Sequence, residues 1–192
     1  MSAAMESAAR QPAEPPEQAP HPRPVERGPV GQRRFRDAMG LFPTGVTLVT
    51  ASSDDGVDQA MTANSVTSVS LEPLLLLVCV EHASRLHDAV LRSGLWGVSV
   101  LGRDAERLSR RFARRGHNTA EVLTRVPHHR GRHTGAVLLD AALATIECRT
   151  WAAYPGGDHT VLVGEVLSLG TPRPGAPPLV WHRGRYASLD RP

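Results

Sequence analysis

Between positions 60 and 71 the chain reads AMTANSVTSVSL, with hydroxyls at Thr62, Ser65, Thr67, Ser68 and Ser70, an amide at Asn64, and no charge, proline or glycine. Small hydroxyls and backbone N–H groups at this density can hydrogen-bond the polar edge of a flat, uncharged ring while neighbouring apolar groups cover its faces. The same composition also suits a Ser/Thr-rich edge strand that binds nothing. A second candidate is the pair Ser84-Arg85, where a strand leaves the core and a helix begins. There a hydroxyl, a guanidinium and the positive end of a helix can converge on an anion, although Ser84 can equally serve as a simple N-cap. His117, His128, His129 and His133 are clustered, but with no cysteine nearby, no HExxH pattern and several arginines to repel a cation, a metal site is not expected.

Elements that could position these groups follow from the spacing. The aliphatic run LLLLVCV after the hydroxyl-rich stretch reads as a buried strand. The Pro43-Thr44-Gly45 bend leads into a strand over residues 46–51, SSDDG supplies a turn, and the next strand contains the hydroxyl-rich stretch. A helix capped by Ser84 places Leu86, Ala89 and Val90 on one face and ends at Gly94. A second helix from Asp104 turns Leu108 and Phe112 inward and Arg103, Arg107, Arg110, Arg111, Arg114 and Arg115 largely outward. This basic face could suggest nucleic acid, but it lacks interleaved exposed aromatics and belongs to no binding module, so a solvated helix face is the expected account. A short basic helix over residues 33–39 carries Phe35 and Met39 on one face. Residues 116–135 read as polar and irregular, residues 136–154 as one strand returning through PGGD over residues 159–170, and LVWHRGRYASL as a last hairpin. Strands joined by tight turns describe an antiparallel barrel or roll rather than alternating βαβ units. There is no GxGxxG after a strand and no GxxxxGK[ST], so any dinucleotide must be held another way.

Composition sets the frame for these elements. The 192 residues suffice for one domain with a tail, and the hydrophobic share of 41% and charged share of 21% are those of an ordinary globular protein. The net charge of +3 rests entirely on arginine, since the chain has no lysine, and it favours anionic partners. Residues 1–30 are rich in Pro, Ala and Glu and are expected to be a disordered tail, leaving residues 31–192 as the folded domain. Cys79 and Cys148 stand far apart in apolar runs, which suggests free thiols in a reducing compartment. No apolar stretch reaches the length of a membrane span and no signal-peptide core is visible, so a cytoplasmic protein without membrane contact is expected.

Taken in order, FPTGVTLVTA, MTANSVTSVSLEP, LLLLVCV, the Ser84-Arg85 helix start, SGLWGVSVL, RRFA, ALATIEC, GDHTVLVGEV and PLVWHRGRY resemble the flavin reductase family over residues 33–189. The resemblance implies the FMN-binding split-barrel fold, mainly β with a Greek-key antiparallel barrel and peripheral helices, assembled as a homodimer. It implies transfer of a hydride from NADH or NADPH to FMN or FAD, and release of reduced flavin to a partner monooxygenase, with no role for nucleic acid. The alternative is a flavin-binding split-barrel module with no reductase activity of its own.

Carried over by position, the resemblance implies that Thr62, Ala63, Asn64 and Ser65 line the edge of the flavin ring, with Val66, Thr67 and Ser68 close by. Ser84 and Arg85 would meet the flavin phosphate, Pro43, Thr44 and Gly45 would form the opposite wall, and Arg111 with Phe112 would reach the phosphate or ribityl end. Gly157, Asp158 and His159 match a turn on the nicotinamide side, and Tyr186 matches a tyrosine of the last hairpin. His159 is the catalytic candidate, orienting the nicotinamide or protonating the reduced ring, against the plainer role of capping its own turn. Three positions depart from the family pattern: Leu74 in place of a second proline, Val66 in place of a phenylalanine, and Leu86 in place of a small hydroxyl residue. Leu86 removes one possible phosphate ligand and Val66 leaves space beside the ring, so modest flavin affinity is expected.

Overall fold

The computed structural model describes residues 30–114, 116 and 118–189. The expected tail therefore lies, but for its last residue, outside the described residues, as do Arg115 and His117. The chain opens with helix α1 (Gln32–Met39), then runs through β1 (Thr44–Gly45), β2 (Thr47–Ser52), β3 (Asp58–Ala63), β4 (Thr67–Leu71) and β5 (Leu74–Glu81). Helix α2 (Arg85–Ser93) and β6 (Leu95–Val100) follow, then a single 3-10 turn, α3 (Glu106–Phe112) and α4 (Thr119–Leu123). The last third is β7 (His128–Arg130), β8 (Val137–Leu139), β9 (Ala144–Gly156), β10 (His159–Gly170), β11 (Leu179–His182) and β12 (Arg185–Ser188). This is the mainly β, antiparallel architecture with peripheral helices that the sequence predicts.

Seven strands form one sheet in the order β3-β2-β6-β9-β10-β5-β4, beside a three-stranded sheet β1-β11-β12 and the ribbon β7-β8. Strands β3 and β4 occupy opposite ends of that order, yet only residues 64–66 join them. A flat seven-stranded sheet would hold its outer strands about 29 Å apart, whereas this connection reaches roughly 14 Å fully extended. The sheet must therefore curl until its two outer strands approach each other. The hydroxyl of Ser65 secures the seam by accepting from the Cys79 N–H at 3.1 Å and donating to the Cys79 carbonyl at 3.3 Å, in place of a backbone rung.

The core sits on both faces of β2. Leu48 belongs to one cluster with Leu101, Phe112, Leu123, Val137 and Leu179, while Val49 belongs to another with Val78, Val80, Leu86, Trp96 and Leu162. A strand buried on both sides must satisfy its polar groups internally. Thr47 does so by donating to the Ala63 carbonyl at 2.9 Å, and Thr50 by donating to the Val137 carbonyl at 2.6 Å. Trp96 is fully buried, and its indole lies where a Cβ at position 164 would be, so β10 can pass only because Gly164 has none.

Four sequence expectations are corrected. The stretch over residues 60–71 is two strands, because the connection crosses from one sheet edge to the other. Residues 116–135 are not irregular throughout: Asn118 accepts from the Glu121 N–H at 3.4 Å and caps α4, and β7 pairs with β8. The run over residues 136–154 breaks after Leu139, where a turn through Asp140 and Ala141 separates β8 from β9. The helix expected from Asp104 begins as a 3-10 turn over Arg103–Ala105 and becomes α-helical only at Glu106. No described helix is long and apolar enough to cross a membrane.

Candidate functional site

A cavity of about 490 Å³ opens between the end of β3, the start of α2 and the end of α3. Strand β3 brings Thr62 and Ala63 to its wall, and the seam adds Asn64 and Ser65. Residues 64–66 belong to neither neighbouring strand, so their backbone groups stand outside the ladders and are available to a ligand. Thr62 is committed elsewhere: its hydroxyl donates to the Ser109 carbonyl at 2.9 Å and fastens α3 against β3.

Ser84 N-caps α2 in extended conformation and accepts from the Leu86 N–H at 3.2 Å, a contact that typically contributes about 1 kcal/mol to a helix. The cap explains why the helix starts there, and it leaves the hydroxyl proton free to meet an anion. Arg85 is exposed at the same rim, and Arg114 flanks the opposite side. Leu86 also lines the cavity, with its side chain in the core.

His159 enters from the β9–β10 turn, where Gly157 adopts a φ of 77° that an L side chain rarely takes. Its Nδ1 donates to the Asp158 carboxylate at 2.7 Å. That hydrogen bond, reinforced by the imidazole's charge, holds the Asp158 carboxyl below the usual carboxylate range. With Nδ1 engaged, Nε2 is the ring atom that can give or take a proton in the cavity. The hairpin end is held twice: the His82 N–H, in the connection between β5 and α2, donates to the Asp158 carbonyl at 3.1 Å, and His87 Nε2 on α2 is hydrogen-bonded to the Thr160 hydroxyl of β10 at 2.8 Å.

Thus Thr62, Ala63, Asn64, Ser65, Ser84, Arg85, Phe112 and His159, all singled out in the sequence, face one cavity. The remaining candidates do not line it. Pro43 precedes β1, in which Thr44 and Gly45 pair with Trp181 and Val180. Val66 packs on the core, while Thr67 and Ser68 are exposed on β4. Arg111 lies on the exposed side of α3, because the helix ends at Phe112 and the following bend turns Arg114 to the rim instead. Gly157 and Asp158 stand outside and hold His159. Tyr186 is one layer back, its hydroxyl 2.9 Å from that of Ser109, its ring edge-on to Trp181 and under the Arg110 guanidinium.

Lining residues that sequence reasoning missed include Gln59, Cys79, Glu81, Ala83, Arg114 and Thr119. Thr119 is brought in by α4, which was read as irregular, and it donates to Gln59 Oε1 at 3.1 Å. Cys79 and Glu81 could have been found from β5 alone, since the faces alternate and Leu76, Val78 and Val80 are buried on the other side. The expected free thiols are observed. Cys148 is fully buried and its pKa is pushed up to about 12 by burial and by the Glu147 charge, so it remains a protonated thiol. No three His, Cys, Asp or Glu side chains among the described residues converge to hold a metal.

Comparison with known proteins places these features among relatives. The family model for the flavin reductase like domain matches residues 39–190. An NADH-dependent FMN reductase, AsuE2, from Streptomyces nodosus subsp. asukaensis is 42% identical over 171 residues, covering 84% of this chain and 87% of that one. The reductase subunit HsaB of a flavin-dependent monooxygenase from Rhodococcus jostii is 36% identical, covering 84% of this chain and 80% of its own length. Among solved structures, BorF, the flavin reductase component of a bacterial two-component tryptophan halogenase, superposes with a TM-score of 0.78 at 41% identity. That match covers 84% of this chain and all (100%) of BorF.

Proposed function

The chain belongs to the flavin reductase like family, and from that premise we propose that it is an NAD(P)H-dependent flavin reductase supplying reduced FMN or FAD to a partner monooxygenase. The observation that carries the reading is one cavity flanked by a neutral hydrogen-bonding seam, a helix N-terminus with Ser84 and Arg85, and an imidazole with one nitrogen free.

That donor set fits a flavin mononucleotide. Its volume of about 490 Å³ falls within the roughly 300–1,000 Å³ of small-molecule sites. Backbone groups of residues 63–65 suit the carbonyls and ring nitrogens of the isoalloxazine edge, and Ser84, Arg85 and Arg114 suit the phosphate. Flavin and nicotinamide would supply the redox chemistry when bound, a hydride passing from NAD(P)H to the flavin ring and the accompanying proton coming from solvent or a protein acid. The protein's part is to stack the two rings, exclude water and stabilise negative charge at the seam-facing edge of the reduced ring. His159 Nε2 holds or donates a proton on the nicotinamide side, and Asp158 orients it.

The same reading extends to the assembly. The curled sheet is read as a split barrel closed at residues 64–66, and the active form as a homodimer in the cytoplasm. Two exposed apolar groups support pairing: Phe35, Met39, Leu41 and Phe42 at and after α1, and Val69, Leu71 and Leu74 along the β4–β5 hairpin, with Leu71 87% exposed. Thr44, Gly45, Thr67 and Ser68, which a single chain leaves away from the cavity, would contribute to the flavin site only across such an interface.

Loss of NADH absorbance, followed with purified protein and FMN, FAD or no flavin, tests the function. Flavin-dependent oxidation is expected; tight yellow flavin with no oxidation of NADH or NADPH would establish the binding-module alternative instead. Sedimentation of the same sample tests the dimer.

A further inference from the structure

Strands β5 and β10 pair antiparallel in a register that sets Glu81 directly opposite His159. One step on, the His82 N–H donates to the Asp158 carbonyl, so positions 82 and 158 form a hydrogen-bonded pair. Opposed pairs alternate along an antiparallel ladder. Glu81 and His159 are therefore a non-hydrogen-bonded pair, with Cα atoms about 4.5 Å apart and side chains close together. The next pair, Val80 and Thr160, is buried on the other face, whereas half-buried Glu81 and His159 both open on the main cavity. Cys79 lies two residues back on the same face of β5 and is bound through its backbone to the Ser65 hydroxyl of the seam. The carboxylate and the imidazole thus stand side by side, roughly 7 Å along the strand from the seam.

Resting on the reading of the main cavity as the place where nicotinamide meets flavin, we propose that Glu81 accepts a hydrogen bond from the carboxamide of the nicotinamide ring and so selects the hydride donor. A primary carboxamide presents an acceptor oxygen and a donor nitrogen side by side, and the wall presents their complement. The Glu81 carboxylate accepts from the amide N–H, and the protonated His159 ring donates from Nε2 to the amide oxygen, its Nδ1 being engaged with Asp158. A carboxylate has about four acceptor sites, so Glu81 can serve the amide whatever else it meets. Two contacts to one flat group fix how the ring is turned in its own plane. That rotation decides where the carbon that gives up the hydride lies over the flavin.

Glu81→Leu and Glu81→Gln test this, with NADH compared against its acetylpyridine analogue, in which a methyl replaces the amide nitrogen and leaves no N–H to donate. Any intrinsic difference in reactivity between the two donors is common to all variants and cancels. In Glu81→Leu, kcat/KM for NADH is expected to fall about tenfold or more, the effect of losing a hydrogen bond to a charged group. The same constant for the analogue, and the KM for FMN, should stay within about twofold. Glu81→Gln keeps an acceptor oxygen and should recover much of the loss. Equal losses with both donors, no loss with either, or a raised KM for FMN with the donor preference intact overturns the proposal. Should the wild type oxidise neither donor, the functional reading fails on its own, and calorimetric titration with NAD+ and the oxidised analogue still decides the role of Glu81. A preference for NAD+ in the wild type that Glu81→Leu abolishes supports it, and equal affinities or no heat overturn it.

Discussion

Glu147 and Asp158 both sit on the β9–β10 ribbon, and both have carboxyls held below their ordinary range, yet they do so by opposite means. Glu147 is 4% exposed, and burial alone would raise its pKa. The Thr134 hydroxyl at 2.9 Å, the Thr134 N–H at 2.8 Å and the His133 N–H at 2.9 Å more than offset this, all converging on one oxygen. Asp158 has an 87% exposed side chain and is shifted first by its hydrogen bond with His159. A buried carboxylate that accepts three donors organises a loop and sustains stability, whereas an exposed one beside a cavity orients a side chain and leaves stability almost untouched. The ribbon thus separates folding from function along its length.

Removing Glu147 tests the first half of that contrast most severely. Glu147→Ala leaves two N–H groups and a hydroxyl without an acceptor and is expected to cost about 2–4 kcal/mol, read as a fall in the urea midpoint, with turnover per folded molecule unchanged. His159→Ala is the mirror case: turnover should fall about 100-fold, flavin affinity should change little, and the urea midpoint should hold. Equal loss of turnover and flavin affinity would remove His159 from its assigned role.

Gly131→Ala probes the loop more gently. A Cβ there would meet the Glu147 carboxylate, so a loss of about 1–3 kcal/mol is expected. Asp158→Asn should lower turnover a few-fold through a misoriented imidazole without moving the unfolding transition. Acid titration of stability sharpens the comparison. Because the folded-state pKa of Glu147 is depressed, its contribution is complete above the unfolded-state value and is lost as pH falls through the folded-state one. Glu147→Gln should flatten that acid limb, and Asp158→Asn should leave it in place.

The same pair shows what the sequence discloses. His159 and its turn were legible because PGGD between two apolar runs announces a hairpin, and the resemblance attached a role to the residue beside it. The role of Glu147 is not legible in the sequence, because its donors lie upstream in a segment whose composition suggests irregular structure. The lone carboxylate between Ile146 and Cys148 in an apolar strand, with Gly131 and Gly135 bracketing a polar turn, was the signal available. Most strands and α2 followed from periodicity and caps. The break between β3 and β4 did not, since alternation cannot reveal that a chain has crossed to another edge of its sheet. The resemblance points to Arg111, whereas Arg114 reaches the cavity, because spacing alone does not say where a helix stops.

The connection over residues 64–66 is at once the covalent join between the sheet's outer strands and part of the cavity wall. Such a segment has no slack in length. An added residue would separate β3 from β4 or push backbone into the cavity, so insertions that distinguish one relative from another should accumulate in the β2–β3 turn and over residues 116–135. Diversification of substrate choice is thereby steered to the rim, while the wall that meets the ring keeps its length.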